Sequence, residues 1–274
     1  MRIRRLGWAG LELEASGVLA VIDLFQNAGS LTGFVGEPRG PLLAPSGAGK
    51  VSVALATHLH ADHADPLALA QALAPDGVLL RPAPAAGEGL ETIAMAAAEN
   101  GLKELGIPAR TLEAWETVEV GPFTISAVPA ADGFGDPQLS WVIAADGQRI
   151  IHCGDTLFHG WWWLIKMRRG PFDAAFLPVN GPTVDLPHRQ PPSSLPAAMD
   201  PAQAAEAAAL LETGLAIPIH YDTLHKPPVY VQVDRPAEAF TRAAEQRNLK
   251  VQVLEPGERL DLGEPATFVS AQRG

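Results

Sequence analysis

Short apolar stretches separated by glycines run through the first fifty residues, a pattern typical of an antiparallel β-meander. The pattern predicts strands at residues 2–6, 11–15 and 18–23. The following segment, residues 29–50, is rich in Gly and Pro and has no apolar periodicity. It is either a loop that lies over a site or a surface connection.

Two Asp-Pro pairs mark the starts of predicted helices. Aspartate at an N-cap accepts hydrogen bonds from free backbone amides, and proline fits the first helical position. The helices are residues 67–74, after Asp65-Pro66, and a segment from Asp200-Pro201 to Gly214. Two more helices are predicted, an alanine-rich one at residues 90–105 and one after Pro236.

Further apolar runs bounded by turn residues predict the remaining strands, at residues 51–56, 78–81, 117–120, 123–128, 139–144, 149–153, 174–178, 215–219, 251–254 and 267–269. Strand-rich and strand–helix stretches alternate twice along the chain. This order predicts a single α/β domain, residues 1–274, made of two mixed halves with helices on the outer faces.

A long loop is predicted at residues 183–198, which contain too many prolines for a regular helix. This loop is either a lid over a pocket or an ordered surface crossing.

The acidic composition narrows the choice of partners. The formal net charge is −11, whereas nucleic-acid-binding surfaces depend on clustered Lys and Arg. A small-molecule substrate is therefore expected and a nucleic acid is not. The single cysteine, Cys153, cannot form an internal disulfide, so a reducing, cytoplasmic location fits. No membrane partner is expected either, because no apolar stretch approaches the ~20 residues of a membrane-spanning helix.

Three histidines and an aspartate crowd the residues directly after the predicted strand 51–56. They are His58, His60, Asp62 and His63. Imidazole nitrogens and carboxylate oxygens are donors that first-row divalent cations prefer, and four of them in one turn converge without a long loop closing. The cluster indicates a metal site.

Two later strand ends carry donors of the same kind. Asp155 follows the predicted strand 149–153 in a Gly-Asp-Thr turn, and His220 follows the apolar run that ends at Ile219. Taken alone, Asp155 is an ordinary turn residue and His220 is weak evidence. Ligands in α/β folds collect at strand ends, so the two residues extend the candidate metal site.

Together these positions resemble the motif series of the metallo-β-lactamase superfamily. The likeness covers nearly the whole chain and includes the motifs Leu6-Gly7-Trp8-Ala9-Gly10, Val21-Ile22-Asp23, Leu177-Pro178-Val179-Asn180-Gly181 and Ile217-Pro218-Ile219-His220-Tyr221-Asp222. In these details the chain looks like metal-dependent hydrolases related to ascorbate-6-phosphate lactonase. The resemblance implies a four-layer αβ/βα sandwich of two mixed β-sheets. Two divalent metal ions, zinc or manganese and sometimes iron, would lie between the sheets.

The resemblance also implies metal ligands position by position. His58 and His60 correspond to ligands of the first ion. Asp62, His63 and His220 correspond to ligands of the second ion, and Asp155 corresponds to a bridge between both.

One position departs from the family pattern. Where the pattern has a histidine shortly after a Val-Pro-Ala strand end, this chain has Asp132. If Asp132 binds, the first site has two imidazoles and two carboxylates, which shifts its preference from zinc towards manganese or iron. If it does not bind, the first ion is held weakly. The candidate replacements are then His152, His159, His188 and His225.

The expected activity is hydrolysis by a water molecule that two divalent ions activate. Asp155 would set the spacing of the ions, and Asp62 would orient the attacking hydroxide and pass on its proton. Asp23 is predicted to contact a ligating histidine from behind. The candidate substrate contacts are Asn180, His159 and Trp161. Each has a structural alternative: Asn180 caps a turn and His159 hydrogen-bonds to backbone. The tryptophan run that contains Trp161 forms either a wall of the substrate pocket or a contact in a homo-oligomer.

A small ester, lactone or phosphodiester is the expected substrate. Two alternatives stay open at this point. One is a nucleic-acid phosphodiesterase of the same fold, which the acidic composition disfavours. The other is a non-catalytic metal-binding scaffold, which the departure at Asp132 makes credible.

Overall fold

Two β-sheets face each other across a shared apolar core in the computed structural model of the chain, which describes residues 1–29 and 31–262. In chain order the strands are β1 (Arg2–Gly7), β2 (Gly10–Ala15), β3 (Val18–Ile22), β4 (Val51–Leu55), β5 (Leu73–Arg81), β6 (Ala109–Thr111), β7 (Thr117–Val120), β8 (Phe123–Pro129), β9 (Leu139–Ala145), β10 (Gln148–His152), β11 (Ala174–Pro178), β12 (Thr183–Val184), β13 (Ala216–Ile219), β14 (Tyr230–Val231) and β15 (Arg259–Asp261). The α-helices are α1 (Thr32–Val35), α2 (Pro66–Ala72), α3 (Ile93–Glu104), α4 (Trp162–Arg169), α5 (Pro201–Leu211) and α6 (Pro236–Gln246).

Both sheets mix antiparallel and parallel strands. The first has the order β15-β1-β2-β3-β4-β5-β6, in which the meander β1 to β3 is antiparallel and β3 to β6 run parallel. The second has the order β13-β11-β10-β9-β8-β7, in which β10, β11 and β13 are parallel. Parallel strands bring their carboxyl ends to one edge of a sheet, where α/β folds collect ligands.

Helices cover the outer face of each sheet. α2 and α3 pack on the first sheet through residues such as Leu69 and Met95. α4, α5 and α6 pack on the second through residues such as Trp162 and Phe240. With Trp141 among the large side chains buried between the sheets, the layers form the expected αβ/βα sandwich. Within the described ranges, no helix has both the length and the hydropathy needed to cross a bilayer.

Both predicted Asp-Pro helix starts are confirmed. Asp65 and Asp200 are the N-caps of α2 and α5, and a proline occupies the first turn of each helix. α2 is shorter than predicted and ends at Ala72, because the next residue, Leu73, already pairs with Val51 of β4.

The sequence pattern does not predict helix α4. Its N-cap position, Trp161, makes no side-chain cap hydrogen bond, and α4 itself begins with two tryptophans, which are modest helix formers. Trp162 and Ile165 are fully buried in the cluster outside the second sheet. Tertiary packing rather than local propensity therefore stabilises this helix.

The predicted strand at residues 251–254 is wrong. Val251 forms a single bridge with Ala216, after which the chain leaves the sheet and the Leu254 carbonyl accepts a hydrogen bond from the Arg5 guanidinium. The first sheet is closed instead by β15, which pairs with β1. The predicted strand 267–269 lies outside the described residues.

The two segments predicted as irregular contain little regular structure. Residues 29–50 include the short helix α1, and residues 183–198 begin with β12, which pairs with β14. Both segments line the same cavity. The first contributes Leu31, Phe34 and Val35, and the second contributes Val184 and Leu186.

Asp65 stabilises more than its own helix. One carboxylate oxygen accepts from the Leu67 and Ala68 amides, and the other accepts from the amides of Gln26 and Asn27 and from the Asn27 side chain. Asp65 is buried, whereas Asp200 is half-buried and, within the described residues, accepts from the Gln203 amide alone. Asp65 thus ties the loop after β3 to the start of α2.

We predict that Asp65→Ala lowers the free energy of unfolding of the metal-free chain by about 2 to 3 kcal/mol, because it removes a cap and also leaves the amides of Gln26 and Asn27 without their acceptor. Asp200→Ala, which removes a cap only, is predicted to cost about 1 kcal/mol. Urea unfolding of both variants measures the difference. Equal losses would show that the link to Gln26 and Asn27 contributes nothing.

Candidate metal centre

Strand ends from both sheets bring seven donor side chains to one place. They form two groups, His58 with His60, Asp132 and Asp155, and Asp62 with His63 and His220. Within each group the donor atoms lie within 4.8 Å of one another. The segments that carry them follow β4, β8, β10 and β13. Every residue that the sequence proposed as a metal ligand belongs to one of these groups, including Asp132.

Asp132 divides its carboxylate between the backbone and the site. Its Oδ1 accepts hydrogen bonds from the amides of Phe134 at 2.7 Å and Asp136 at 3.1 Å. Its Oδ2 is buried, lies 3.9 Å from His60 Nδ1, and has no hydrogen-bond partner among the described residues. The turn therefore fixes one oxygen and leaves the other directed at the first group.

Asp155 lies between the two groups. Its Oδ1 is 3.6 Å from His58 Nδ1, and its Oδ2 is 3.9 Å from Nε2 of both His63 and His220. Gln138 donates a hydrogen bond to Oδ1 at 2.6 Å. A carboxylate whose two oxygens face different groups has the geometry of a bridging ligand.

Two buried residues orient the imidazoles of the second group. Asp23 Oδ2 lies 2.8 Å from His63 Nδ1 and also accepts from the Thr57 hydroxyl, as the prediction of a supporting role for Asp23 expects. Asn180 Oδ1 lies 2.9 Å from His220 Nδ1. Because each Nδ1 is paired with an oxygen, each Nε2 is the nitrogen that faces the group.

Asp136 supports His60 in the same way, and the sequence does not identify it. Its Oδ2 lies 2.9 Å from His60 Nε2, so His60 presents Nδ1 to the first group. Arg189, from the 183–198 loop, donates to the same carboxylate at 3.1 Å and to the Phe134 carbonyl at 3.2 Å. The partners are too far apart in sequence, 76 residues for His60 and Asp136, for local spacing to reveal them.

Trp8 restrains Asp62, the carboxylate of the second group. Its indole Nε1 donates to Asp62 Oδ2 at 3.0 Å, and its ring packs against His220 at an interplanar angle of 38°, with centroids 3.8 Å apart. The sequence motif contains Trp8 but gives it no role. Trp8 and Asp23 have φ of 48°, and His220 has φ of 59°. Such left-handed backbone is unfavourable for side-chain-bearing residues, and the surrounding contacts maintain it at this centre.

Gly154 lets the Asp155 turn approach β4. Its φ is +61°, and a Cβ there would lie 2.7 Å from the Thr57 hydroxyl oxygen. A side chain at this position would push Asp155 away from the segment that carries His58.

Unpaired buried atoms show that the donor set fits metal ions. Nε2 of His58, His63 and His220 are all buried without a hydrogen-bond partner within the described part of the chain, as is Asp132 Oδ2. Unpaired buried polar atoms are costly, and several of them directed at one place are satisfied by cations. Two divalent cations would also offset the negative charge that the site carboxylates place in this interior.

Burial and neighbouring charges shift the pKa values of the donors. Burial raises the pKa of Asp155 to about 7, and the nearby Asp132 carboxylate acts in the same direction. Burial alone would lower the pKa of His63, but the Asp62, Asp23 and Asp155 carboxylates raise it to about 10. Burial lowers the pKa of His58 and His220 well below the usual value. Without a metal ion, the negative charge of the carboxylates therefore keeps a proton in the centre. A bound metal ion would offset that charge instead.

None of the proposed replacement histidines belongs to either donor group in the described ranges. His152 is buried, with Nε2 2.8 Å from the Ala9 carbonyl oxygen and Nδ1 accepting from the Gly154 amide. His225 accepts from the Gln232 amide. His188 lies on the cavity wall rather than among the donors. Asp132 occupies the place of the expected histidine.

The predicted substrate contacts lie elsewhere. Asn180 is fully buried behind His220, and its amide nitrogen donates to the Tyr230 hydroxyl at 2.9 Å. His159 stacks on Trp162, with centroids 4.0 Å apart, and accepts from the Trp161 amide. Trp161 is 44% exposed on the outer surface, and neither it nor His159 lines the cavity at the donor groups. Both residues follow Asp155 closely in sequence, which suggests a place at the site. In the structure the chain turns outward into α4 after Asp155, so both side chains lie away from the donor groups.

Four of the donor residues, His60, Asp62, Asp155 and His220, line a cavity of about 260 Å³. The rest of its wall is mostly apolar and comes from α1, α3 and the 183–198 loop. The cavity therefore borders residues of both donor groups.

The chain is similar in sequence to a known family and to known proteins. A family model described as a β-lactamase superfamily domain matches residues 21–221. A protein named UPF0173 metal-dependent hydrolase, from Methanoculleus marisnigri, is 27% identical over 274 residues, which cover 96% of this chain and 97% of that relative.

Solved structures share the fold. Igni18, a metallo hydrolase from Ignicoccus hospitalis, superposes with a TM-score of 0.64 at 21% identity, over 94% of this chain and 97% of that chain. CmlA, a diiron β-hydroxylase from Streptomyces venezuelae, superposes with a TM-score of 0.68 at 15% identity, over 94% of this chain and 53% of that chain. Since one is a hydrolase and the other a hydroxylase, the likeness in fold does not choose the reaction.

We predict that Asp136→Ala weakens binding of one metal equivalent by about 10- to 100-fold, because His60 loses the partner that orients it. Competition with a chromophoric chelator measures the affinity. Asp185→Ala, which removes an exposed carboxylate from the same loop as Arg189, is the control and should leave both affinities unchanged. Equal affinities in wild type and Asp136→Ala would rule out the orienting role.

The metal-free protein should lose stability as the pH rises above about 7. His63 binds its proton more tightly in the folded state, where its pKa is about 10, than in the unfolded state, where it is about 6.5. This contribution is complete below the unfolded pKa and is lost as the pH rises through the folded pKa. Urea unfolding in chelator between pH 7 and pH 9 checks it. A free energy of unfolding that stays constant or rises over this range would contradict the shift.

Proposed function

The chain belongs to the β-lactamase superfamily and is a metal-dependent hydrolase, and on that premise we propose that its seven clustered donors hold two divalent cations that activate water against a small-molecule substrate. The observation that carries the proposal is the set of buried, unpaired donor atoms directed at one place beside a cavity.

The proposed ligands divide as the two donor groups do. His58, His60 and Asp132 would hold one ion. Asp62, His63 and His220 would hold the other, and Asp155 would contact both. With two carboxylates and two imidazoles, the first site suits manganese or iron at least as well as zinc.

When bound, divalent ions at this centre would lower the pKa of water, so that hydroxide would be available near neutral pH. Asp155 keeps the two donor groups at a fixed separation. Asp62 reaches the cavity wall, and the Trp8 indole restrains one of its oxygens. From this position Asp62 takes the proton of the attacking water and passes it to the leaving group.

The cavity supports a small molecule rather than a nucleic acid as the substrate. Arg189 is the one Lys or Arg among the described residues that line it, whereas nucleic-acid sites cluster such residues. The hydrolase relatives likewise favour an enzyme over a non-catalytic scaffold. The lactonase-like branch, the homo-oligomer and the cytoplasmic location stay predictions from the sequence.

The test is metal content together with hydrolysis. We predict close to two equivalents of divalent metal in the purified protein. Hydrolysis across a panel of small esters, lactones and phosphodiesters should be lost in chelator and restored by manganese or zinc. His63→Ala should reduce the metal content towards one equivalent, whereas His225→Ala, a histidine outside both donor groups, should keep two.

Two results would contradict the proposal. The first is full hydrolysis in metal-free protein. The second is two bound equivalents with no turnover of any member of the panel.

A further inference from the structure

The cavity beside the donor groups has an apolar wall built from three separate segments. Leu31, Phe34 and Val35 come from α1 and the residue before it, Ile93, Ala94 and Ala97 come from α3, and Pro182, Val184, Leu186, Ala197 and Ala198 come from the region of the 183–198 loop. Three distant segments thus present aliphatic or aromatic surface to one space. Such a wall favours an apolar molecule, because burying apolar surface is the main favourable term in binding it.

This apolar surface continues to the outside. Phe34 and Ile93 both line the cavity, yet they are 41% and 44% exposed. They belong to different segments, α1 and α3, so apolar side chains extend from the cavity to the surface on two sides. An apolar group longer than the cavity would still meet apolar side chains on its way out.

The one cation of the wall is already paired at two of its nitrogens. Arg189 is its one Lys or Arg within the described ranges, and its two terminal nitrogens donate to the Phe134 carbonyl and the Asp136 carboxylate. Its Nε is buried and has no hydrogen-bond partner in the same ranges. Phosphate sites usually supply Arg, Lys or free backbone amides to the oxygens that a metal leaves uncovered. An uncharged electrophile has no such requirement.

His188 is a polar group of the wall that lacks a partner. Its Nε2 is buried and makes no hydrogen bond within the part of the chain that the structure describes. A neutral imidazole both donates and accepts one hydrogen bond. Because Nε2 has almost no accessible surface, it pairs with the oxygen of an uncharged substrate only after the ring rotates towards the cavity.

We propose that the substrate is an uncharged carboxylic ester or lactone with an apolar body, and that the body occupies this cavity while His188 hydrogen-bonds one of its oxygens. This inference rests on the proposed function.

The reaction is a simple hydrolysis. The oxygen of water bonds to the acyl carbon, the bond from that carbon to the alkoxy oxygen breaks, and the alkoxy oxygen takes up a proton. No electrons are transferred, so no oxidant or reductant is needed.

The first test measures kcat/KM for methyl alkanoates of increasing acyl length, for lactones with alkyl chains of the same lengths, and for dimethyl phosphate and its longer dialkyl homologues. A pH-stat follows acid release by the metal-loaded enzyme. For esters and lactones we expect kcat/KM to rise by up to about fourfold per methylene until the cavity is full, and then to level off. Phosphodiesters should be hydrolysed at least 100-fold more slowly. A flat series, or a preference for phosphodiesters, would overturn the inference.

Two alanines of α3 give a matched pair of variants. Ala94 lines the cavity, whereas Ala96, also half-buried on the same helix, does not. Ala94→Leu should shorten the acyl length at which kcat/KM levels off by about three carbons while hydrolysis of methyl acetate is retained. Ala96→Leu should leave the whole series unchanged. Identical series in both variants would show that the body does not occupy this cavity.

His188→Phe and His188→Gln test the polar contact. His188→Phe keeps a ring but no hydrogen-bonding group, so KM for esters should rise by roughly 3- to 10-fold. His188→Gln should recover part of this loss. An unchanged KM in His188→Phe would remove His188 from the proposal.

Failure of this inference is distinguishable from failure of the proposed function. Metal-dependent turnover of phosphodiesters alone would overturn the substrate class and leave the two-ion hydrolase standing. Two bound metal equivalents with no turnover of any ester, lactone or phosphodiester would overturn both.

Discussion

The structure depends on the burial of carboxylates and imidazoles where strand ends from the two sheets meet. Isolated buried charges are unfavourable, so these groups persist only if each is paired with a hydrogen-bond donor or a cation. Asp23, Asp136 and Asn180 occupy one nitrogen of His63, His60 and His220. The opposite nitrogens of His63 and His220 have no partner among the described residues. The unfavourable backbone of Trp8, Asp23 and His220 lies around the same donors. Metal binding would relieve the electrostatic cost that this arrangement imposes on the metal-free chain.

The metal centre has an inner face, where buried side chains orient the ligands, and an outer face, which borders the cavity. On the inner face, His63 and His220 are oriented by the hydrogen bonds that they donate to Asp23 and Asn180. On the outer face lies the apolar cavity. The 183–198 loop belongs to both, because Arg189 holds Asp136 while Val184 and Leu186 form the wall. A shift of this loop would therefore change the cavity and the support of His60 together. The loop lines the cavity, and its role as a lid stays a prediction from the sequence.

Much of the centre was predictable from sequence because its ligands follow apolar strands directly. The cluster from His58 to His63 is local, and Asp155 and His220 stand at strand ends that periodicity reveals. Asp132 was found only because a family pattern marked the place of a missing histidine. Trp8, Asp136 and Arg189 could not be assigned roles, since their contacts join residues 54, 76 and 53 positions apart. His159 and Trp161 were misplaced because α4, which tertiary packing stabilises, turns that segment outward. The helix caps were visible because an N-cap and the residues that follow it form a local signal.

The central claim is that both donor groups bind metal and that Asp132 and Asp155 take part. Anomalous scattering from crystals of the metal-loaded chain, recorded at the manganese and zinc edges, tests it most directly. We expect two peaks, one among His58, His60 and Asp132 and one among Asp62, His63 and His220, with an oxygen of Asp155 on each. A single peak, or a first peak that Asp132 Oδ2 does not contact, would contradict it.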